Sequence, residues 1–326
     1  MDAALAERFR SDLAALWPEG GRRDGPKLGL AVSGGPDSLA LLLLAHAAMP
    51  GRVAAATVDH QLRPESAREA AEVAALCARL AVPHHTLAVD VAEGNLQAEA
   101  RRARYAALGR WLESEGLRAL ATGHHADDQA ETLLLRLNRA SGVAGLAGTR
   151  ARGVVPGTPV PLLRPLLDWR RSALARIVAD AGIVAAADPS NTDDRFDRAR
   201  LRKELAGADW LDVPAIAQSA AHLADADLAL DWAAAREWQD GVRREELGVL
   251  YGPRAPRAIA LRVIARIVAE LYGAEPRGSA VARVYDALIA GSPASIGDLI
   301  ARPDMGGWSF AKAPKPRRAP RRNPAR

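Results

Sequence analysis

Over the first two hundred positions, short apolar runs bounded by turn formers alternate with longer stretches in which apolar residues recur every three to four positions. LGLAV (28–32), VAAATV (53–58), HHTLAV (84–89) and LRALATG (117–123) read as strands. The stretches between them, each of about a dozen residues or more, read as helices. This alternation predicts an α/β fold, a parallel twisted sheet with helices on both faces. Ligands of such sheets bind beyond the carboxyl ends of the strands. Ser33 follows the first strand, Asp59 and His60 the second, and His124 and His125 the fourth.

From Asp212 the pattern changes to alanine-rich helices, the longest being AIAQSAAHLADADLALDWAAAREW. Its Trp232 and Trp238 are six apart, off a common face, and predict core or interdomain packing. The region from Pro253 to Leu299 then predicts a compact helical domain, IALRVIARIVAELYG and AVARVYDALIAG joined by a turn at AEPRG. The expected organisation is a catalytic domain over 1–208, a helical linker with a small helical C-terminal domain over 209–310, and a tail over 311–326.

The most specific local signal lies between the first strand and its helix, where the apolar run halts at Ser33-Gly-Gly-Pro-Asp-Ser38. Gly34 and Gly35 lack a Cβ, so their N–H groups can converge on an anion. Pro36 and Asp37 open a helix whose positive N-terminal end points at that anion, and Ser33 and Ser38 offer hydroxyls. The chain has neither a GxxxxGK[ST] loop nor GxGxxG. Without the lysine that reaches β- and γ-phosphates, a loop that holds pyrophosphate fits cleavage at the α-phosphate. Here the chain resembles the PP-loop ATP pyrophosphatases, whose SGGxDS signature implies ATP, with Asp37 as a magnesium ligand.

Composition narrows the setting. The chain has 326 residues, 49% hydrophobic, enough for a sizeable core and two domains. A single cysteine, Cys77, excludes an internal disulfide and sits in a helical pattern as a small buried apolar group. The N-terminus is an amphipathic helix, not a signal peptide, and no apolar run approaches the ~18 residues of a membrane span, so a cytoplasmic protein is expected. Net charge is +5, yet Ala311–Arg326 carries seven Lys or Arg and no acid, leaving 37 of the 44 basic residues against 39 acidic ones. With four prolines, this tail reads as a disordered basic arm, either a solubilising terminus or a contact to RNA phosphates.

A second constellation is Thr122-Gly-His-His-Ala-Asp-Asp-Gln-Ala-Glu-Thr132. A helix starting near Ala126 puts Asp128, Glu131 and Thr132 on one face, with His124 and His125 at its mouth. Carboxylates and imidazoles there suit a cation, either an ammonium group or a divalent metal. Helix capping by Asp127 or Asp128 is the simpler alternative.

Taken in order, SGGPDS, GNLQAEARRARYAAL (94–108), GHHADDQAETLLLRL (123–137), RASGVAGLAG (139–148), RPLL (164–167) and DPSNTDDRFDRARLR (188–202) resemble the tRNA(Ile)-lysidine synthetase family. The resemblance implies a PP-loop, adenine nucleotide alpha hydrolase-like fold. It also implies ATP-dependent ligation of free L-lysine to C2 of the wobble cytidine in the CAU anticodon of tRNA(Ile), through an adenylated intermediate, releasing AMP and pyrophosphate. Ser33, Gly34, Gly35, Pro36, Asp37 and Ser38 are then ATP-binding, with His60 and Arg63 bordering the adenosine. Asp37 holds Mg2+, Asp128 and Glu131 bind lysine, and Arg101, Arg104, Arg198 and Arg202 contact tRNA or the nucleotide. Asp37, His124, Asp128 and Glu131 are the catalytic candidates, and the sequence does not choose the base among them. Ala140 and Ala199 depart from the family's usual glycine and asparagine. A further C-terminal domain of longer members is not expected, and a homodimer is left open.

Four other readings compete, one of them an amidotransferase-type synthetase, which would need a glutaminase domain or partner. Another PP-loop tRNA-modifying enzyme of the sulfur-transferring kind would show catalytic or zinc-binding cysteines, which this chain lacks. A metal-dependent hydrolase using HHADDQAE leaves SGGPDS unexplained. A non-catalytic RNA-binding module leaves Asp37, Asp128 and Glu131 without a purpose.

Overall fold

The computed structural model describes residues 2–22, 24–63, 65–186, 197–208 and 210–313. The chain forms two compact units, Met1–Ala224 and Asp225–Arg326. The division falls inside a long helix rather than at residue 208.

In the first unit, α1 (Ala3–Leu16) and α2 (Pro18–Gly21) precede β1 (Leu28–Ala31), α3 (Pro36–Ala48), β2 (Val53–Asp59), α4 (Ser66–Arg79), β3 (His84–Ala88), α5 (Leu96–Ser114) and β4 (Ala119–Ala121). There follow α6 (Ala126–Leu137), α7 (Val143–Leu146), β5 (Arg152–Val154), β6 (Pro161–Leu163), α8 (Arg171–Asp180), α9 (Asp197–Ala206) and the start of α10 (Val213–Gly241). The sheet order is β3-β2-β1-β4-β6-β5. The four expected strands are parallel, and β6 extends them parallel to β4. The sheet is not wholly parallel, however, because β5 pairs antiparallel with β6 as the edge strand. These two strands are three residues each, too short for period-two alternation to stand out.

Side chains alternate between two cores as the pleat requires. Leu28 and Leu30 of β1, Ala55 of β2 and Ala121 of β4 join α1, α3, α4 and α8 on one face. Ala31, Ala54, Ala56 and Leu120 face α5, packing with Tyr105, Leu108, Trp111 and Leu112. Gly29 makes that second contact possible, since a Cβ there would lie 2.8 Å from Leu112 Cδ2. Cys77 is fully buried, and burial pushes its thiol up to about 11.

Strand order runs outward through β2 and β3 on one side of β1 and through β4 on the other, so the chain reverses direction between β1 and β4. That reversal opens a crevice at the carboxyl ends of these two strands, flanked by the β1–α3 and β4–α6 loops.

The second unit corrects the expectation of a helical domain. Besides α11 (Arg257–Tyr272) and α12 (Gly278–Ile289) it contains an antiparallel sheet of β7 (Val242–Glu245), β8 (Gly248–Tyr251), β9 (Ala294–Ile296), β10 (Leu299–Asp304) and β11 (Gly307–Lys312), ordered β7-β8-β11-β10-β9. Val249, Tyr251, Leu299, Ala301, Trp308 and Phe310 alternate inward against Ile264, Ile267 and Val284 of the helices. The three central strands, β8, β10 and β11, contribute only two such positions each, and the large apolar Leu250 and Ile300 on the other face interrupt the apolar-polar alternation, which hides it from a sequence window. Trp238 packs beside this core under Arg266, 3.9 Å from the ring centre, whereas Trp232 is 65% exposed. Ala311 and Lys312 belong to β11, pairing with Ile300 and Leu299, so they are not part of a disordered tail. The rest of the tail from Pro314, and the DPSNTDDRF stretch of the family resemblance, lie outside the described residues. No helix among the described residues is long and apolar enough to cross a membrane.

Candidate functional site

The first wall of the crevice is the β1–α3 loop. Gly34 has φ +87°, open to glycine and costly for other residues, and its carbonyl accepts from the Ala186 N–H at 3.0 Å. The Ser38 hydroxyl turns into the loop instead of out toward an anion. Its Oγ accepts from the Ser33 N–H (3.1 Å), donates to the Gly35 carbonyl (3.0 Å), and so fixes the loop's shape. Pro36 starts α3, placing Asp37 in the first turn.

The second wall is the β4–α6 loop. Gly123 brings it against α3: a Cβ there would sit 2.9 Å from the Asp37 carbonyl oxygen and 3.1 Å from the Ser38 nitrogen. His125 caps α6, its Nδ1 accepting from the Asp128 N–H (3.4 Å) while Asp128 Oδ2 accepts from the His125 N–H (3.1 Å). With Nδ1 as acceptor, Nε2 faces Asp37 Oδ2 at 3.4 Å and Asp128 Oδ2 at 3.6 Å. Burial works against a charge on this ring, but the Asp37, Asp128 and Asp127 carboxylates outweigh it and raise its pKa. Burial in turn raises the Asp128 carboxyl.

His124, one residue earlier, meets the opposite field. Consecutive side chains on extended backbone point to opposite sides, and its Nδ1 bonds Thr122 Oγ1 at 2.9 Å. Burial, with the Arg164, Arg104, Arg101 and Arg198 guanidiniums, pushes it down to about 3. His124 is therefore neutral at pH 7 and a weak base. Arg101 stacks over Tyr105, 4.9 Å from the ring centre. Arg164, 7% exposed, donates to the Arg150 carbonyl at 2.6 Å, and its buried Nε has no partner. The crevice thus has a carboxylate side around His125 and a guanidinium side around His124.

On the carboxylate side, Glu131 is buried and already carries a cation. Arg202 of α9 grips it with two hydrogen bonds, Nε to Oε1 at 2.8 Å and a terminal nitrogen to Oε2 at 3.2 Å. Arg198, one turn earlier, donates to Thr132 Oγ1 at 3.1 Å. The Arg198 and Arg202 pair, expected at the RNA, thus lies against the α6 face expected to hold lysine. Asp127 does not cap α6: it lies 3.7 Å from the His125 ring, accepts from the Arg171 N–H (2.8 Å) at the start of α8 and pairs with Arg170. Asp59 closes the turn after β2, accepting from the Gln61 N–H at 2.8 Å. Arg63 pairs with Glu69 at 3.2 Å, and His60 has a buried Nδ1 without a partner.

Asp37 Oδ1 is buried with no hydrogen-bond partner, while Oδ2 faces His125. An unpaired carboxylate oxygen at the mouth of an anion-binding loop suits a hard divalent cation held jointly with phosphates. Among the described residues no group of three or more His, Cys, Asp or Glu side chains is arranged to hold a metal by itself. Gly123 and Arg164 are site residues that the sequence does not single out, and His125, expected at the helix mouth, is not among the sequence's catalytic candidates. The His-His doublet at a strand end, which must split its side chains between two faces, and the arginine of RPLL are the available signals.

This fold and loop define a nucleotide-binding domain of the PP-loop class, and the PP-loop domain family model matches residues 5–208. A U34-tRNA thiolase from Methanococcus maripaludis shares the fold, with a TM-score of 0.54 at 14% identity over 67% of this chain and 78% of that one. A tRNA(Ile)-lysidine synthase of Novosphingobium aromaticivorans is 48% identical over 97% of this chain and 96% of its own length, and one of Zymomonas mobilis is 41% identical over 90% of each. The chain belongs to the tRNA(Ile)-lysidine synthase family.

Proposed function

We propose that this protein ligates L-lysine to C2 of the wobble cytidine of tRNA(Ile) bearing a CAU anticodon, at the expense of ATP. The observation that carries the reading is the crevice itself: an anion-binding loop without a Walker lysine, its Asp37 3.4 Å from His125, which caps the helix bearing Asp128 and Glu131. In the first step the cytidine O2 attacks the α-phosphate and pyrophosphate leaves, cradled by Ser33 to Ser38 and the α3 N-terminus. Asp37 is the residue suited to hold magnesium, which when bound neutralises charge on the phosphates. In the second step an amine of lysine attacks C2 and AMP departs. Asp128 and Glu131 attract the ammonium form, and the Asp128 carboxylate, not the neutral His124, takes the proton lost on attack.

Arg101, Arg104 and Arg164, for which no carboxylate partner occurs among the described residues, face the RNA or nucleotide phosphates. The second unit and the basic tail add affinity for tRNA. Incorporation of labelled lysine into tRNA with AMP and pyrophosphate as stoichiometric products tests the reading, and release of ADP and phosphate would overturn it. Asp37→Ala should abolish AMP formation while the thermal melt stays that of a folded protein.

A further inference from the structure

The Glu131–Arg202 pair raises a question about order in the reaction. Glu131 is one of two carboxylates assigned to lysine above, yet its side chain is 2% exposed and both oxygens are engaged by Arg202. Two full cations cannot share one buried carboxylate without strong mutual repulsion. We propose that Arg202 is a partner-exchanging residue of the lysine step: without nucleotide it occupies Glu131, and it releases that carboxylate when a phosphate of the bound nucleotide takes over its guanidinium. The inference rests on the assignment of Glu131 to lysine.

The residue type and its placement both fit. A guanidinium fork bonds a carboxylate and a phosphate with the same two-point geometry, so it can exchange one for the other without remodelling. Arg202 covers Glu131 from the more open side, being 25% exposed itself. The Asp37 and Asp128 carboxylates also act on Arg202, which places it within electrostatic reach of the loop where the nucleotide's phosphates arrive. Arg198 bonds Thr132 independently one turn away, so α9 can stay seated on α6 while the Arg202 side chain moves. The consequence is coupling: lysine binds strongly only after nucleotide has arrived, which keeps the amine out of the site while there is no ATP from which the adenylate can form.

Equilibrium dialysis of labelled L-lysine tests this with the intact protein, alone and with magnesium and α,β-methylene ATP. The wild type should bind lysine at least tenfold more tightly with the analogue. Arg202→Gln should bind it at least tenfold more tightly than the wild type without nucleotide, and the analogue should then add little. Equal wild-type affinity with and without analogue overturns the proposal and needs no variant to fold. Glu131→Gln separates the two layers. If it leaves lysine affinity unchanged in every state, the site assignment fails and the exchange with it. If it weakens lysine binding but the analogue has no effect on the wild type, the exchange alone fails.

Discussion

Gly123 is where backbone packing and chemistry meet most closely, so Gly123→Ala is an informative perturbation. The added methyl would lie 2.9 Å from the Asp37 carbonyl oxygen, 3.0 Å from its carbon and 3.1 Å from the Ser38 nitrogen. All three are backbone atoms of a helix N-terminus held by the Ser38 hydrogen bonds, so no flexible side chain can yield. The β4–α6 loop must retreat by a few tenths of an ångström. Overpacking of this kind costs about 1–3 kcal/mol. For a unit of this size that corresponds to a Tm lower by roughly 2–12 °C. The activity loss should exceed what stability explains, because the same retreat lengthens the 3.4 Å approach of His125 to Asp37. Ångström-scale misplacement at a reacting centre costs up to ~100-fold in rate, so about tenfold is expected for this smaller shift. Thermal melts together with tRNA-dependent AMP formation, measured well below the variant's Tm, provide the check. A Tm within 1 °C of wild type and full activity would refute the reasoning, and so would a loss of Tm with unchanged kcat.

Three further outcomes follow from the structure. His124, pushed to about 3 in the fold against 6.5 ordinarily, leaves the unfolded chain holding the extra proton between those values, so stability is lost as pH falls through that window, by up to ~1.4 kcal/mol per pH unit. His124→Asn should shrink the difference between urea midpoints at pH 7 and pH 5, and an unchanged difference would show that another group is responsible. Ala140 holds φ +51°, a left-handed conformation in which a Cβ costs ~1–2 kcal/mol, so Ala140→Gly should stabilise by about 0.5–1 kcal/mol after glycine's greater unfolded-state entropy is subtracted; a lower Tm contradicts this. Truncation after Ala313 removes six basic residues while sparing β11. It should weaken cognate and non-cognate tRNA alike and flatten the salt dependence by ~0.7–0.9 for each phosphate the tail neutralises; an isoleucine-specific loss would show that the tail reads the RNA.

Much of the first unit is legible from local pattern alone. The four parallel strands and the SGGPDS loop each rest on residues within a few positions of one another, where propensity and hydrogen bonding decide, whereas the cap of α6, expected from Asp127 or Asp128, is His125. Ala140 is the same kind of case: its departure from glycine is visible in the chain, and its positive φ is the physical consequence. What only the tertiary structure decided depends on distant partners. The facing of Asp37 and His125 follows from the reversal of strand order between β1 and β4, which no local window contains. Arg202 reaches Glu131 across 71 residues, turning an apparently open ammonium site into one already filled. His124 and His125, adjacent and chemically identical in the sequence, acquire opposite protonation tendencies because guanidiniums from α5, α9 and the residue after β6 converge on one side and carboxylates from α3 and α6 on the other. The second unit's sheet is hidden for a related reason: each short strand carries too little pattern alone, and its inward residues become a core only when β8, β10 and β11 align against α11 and α12.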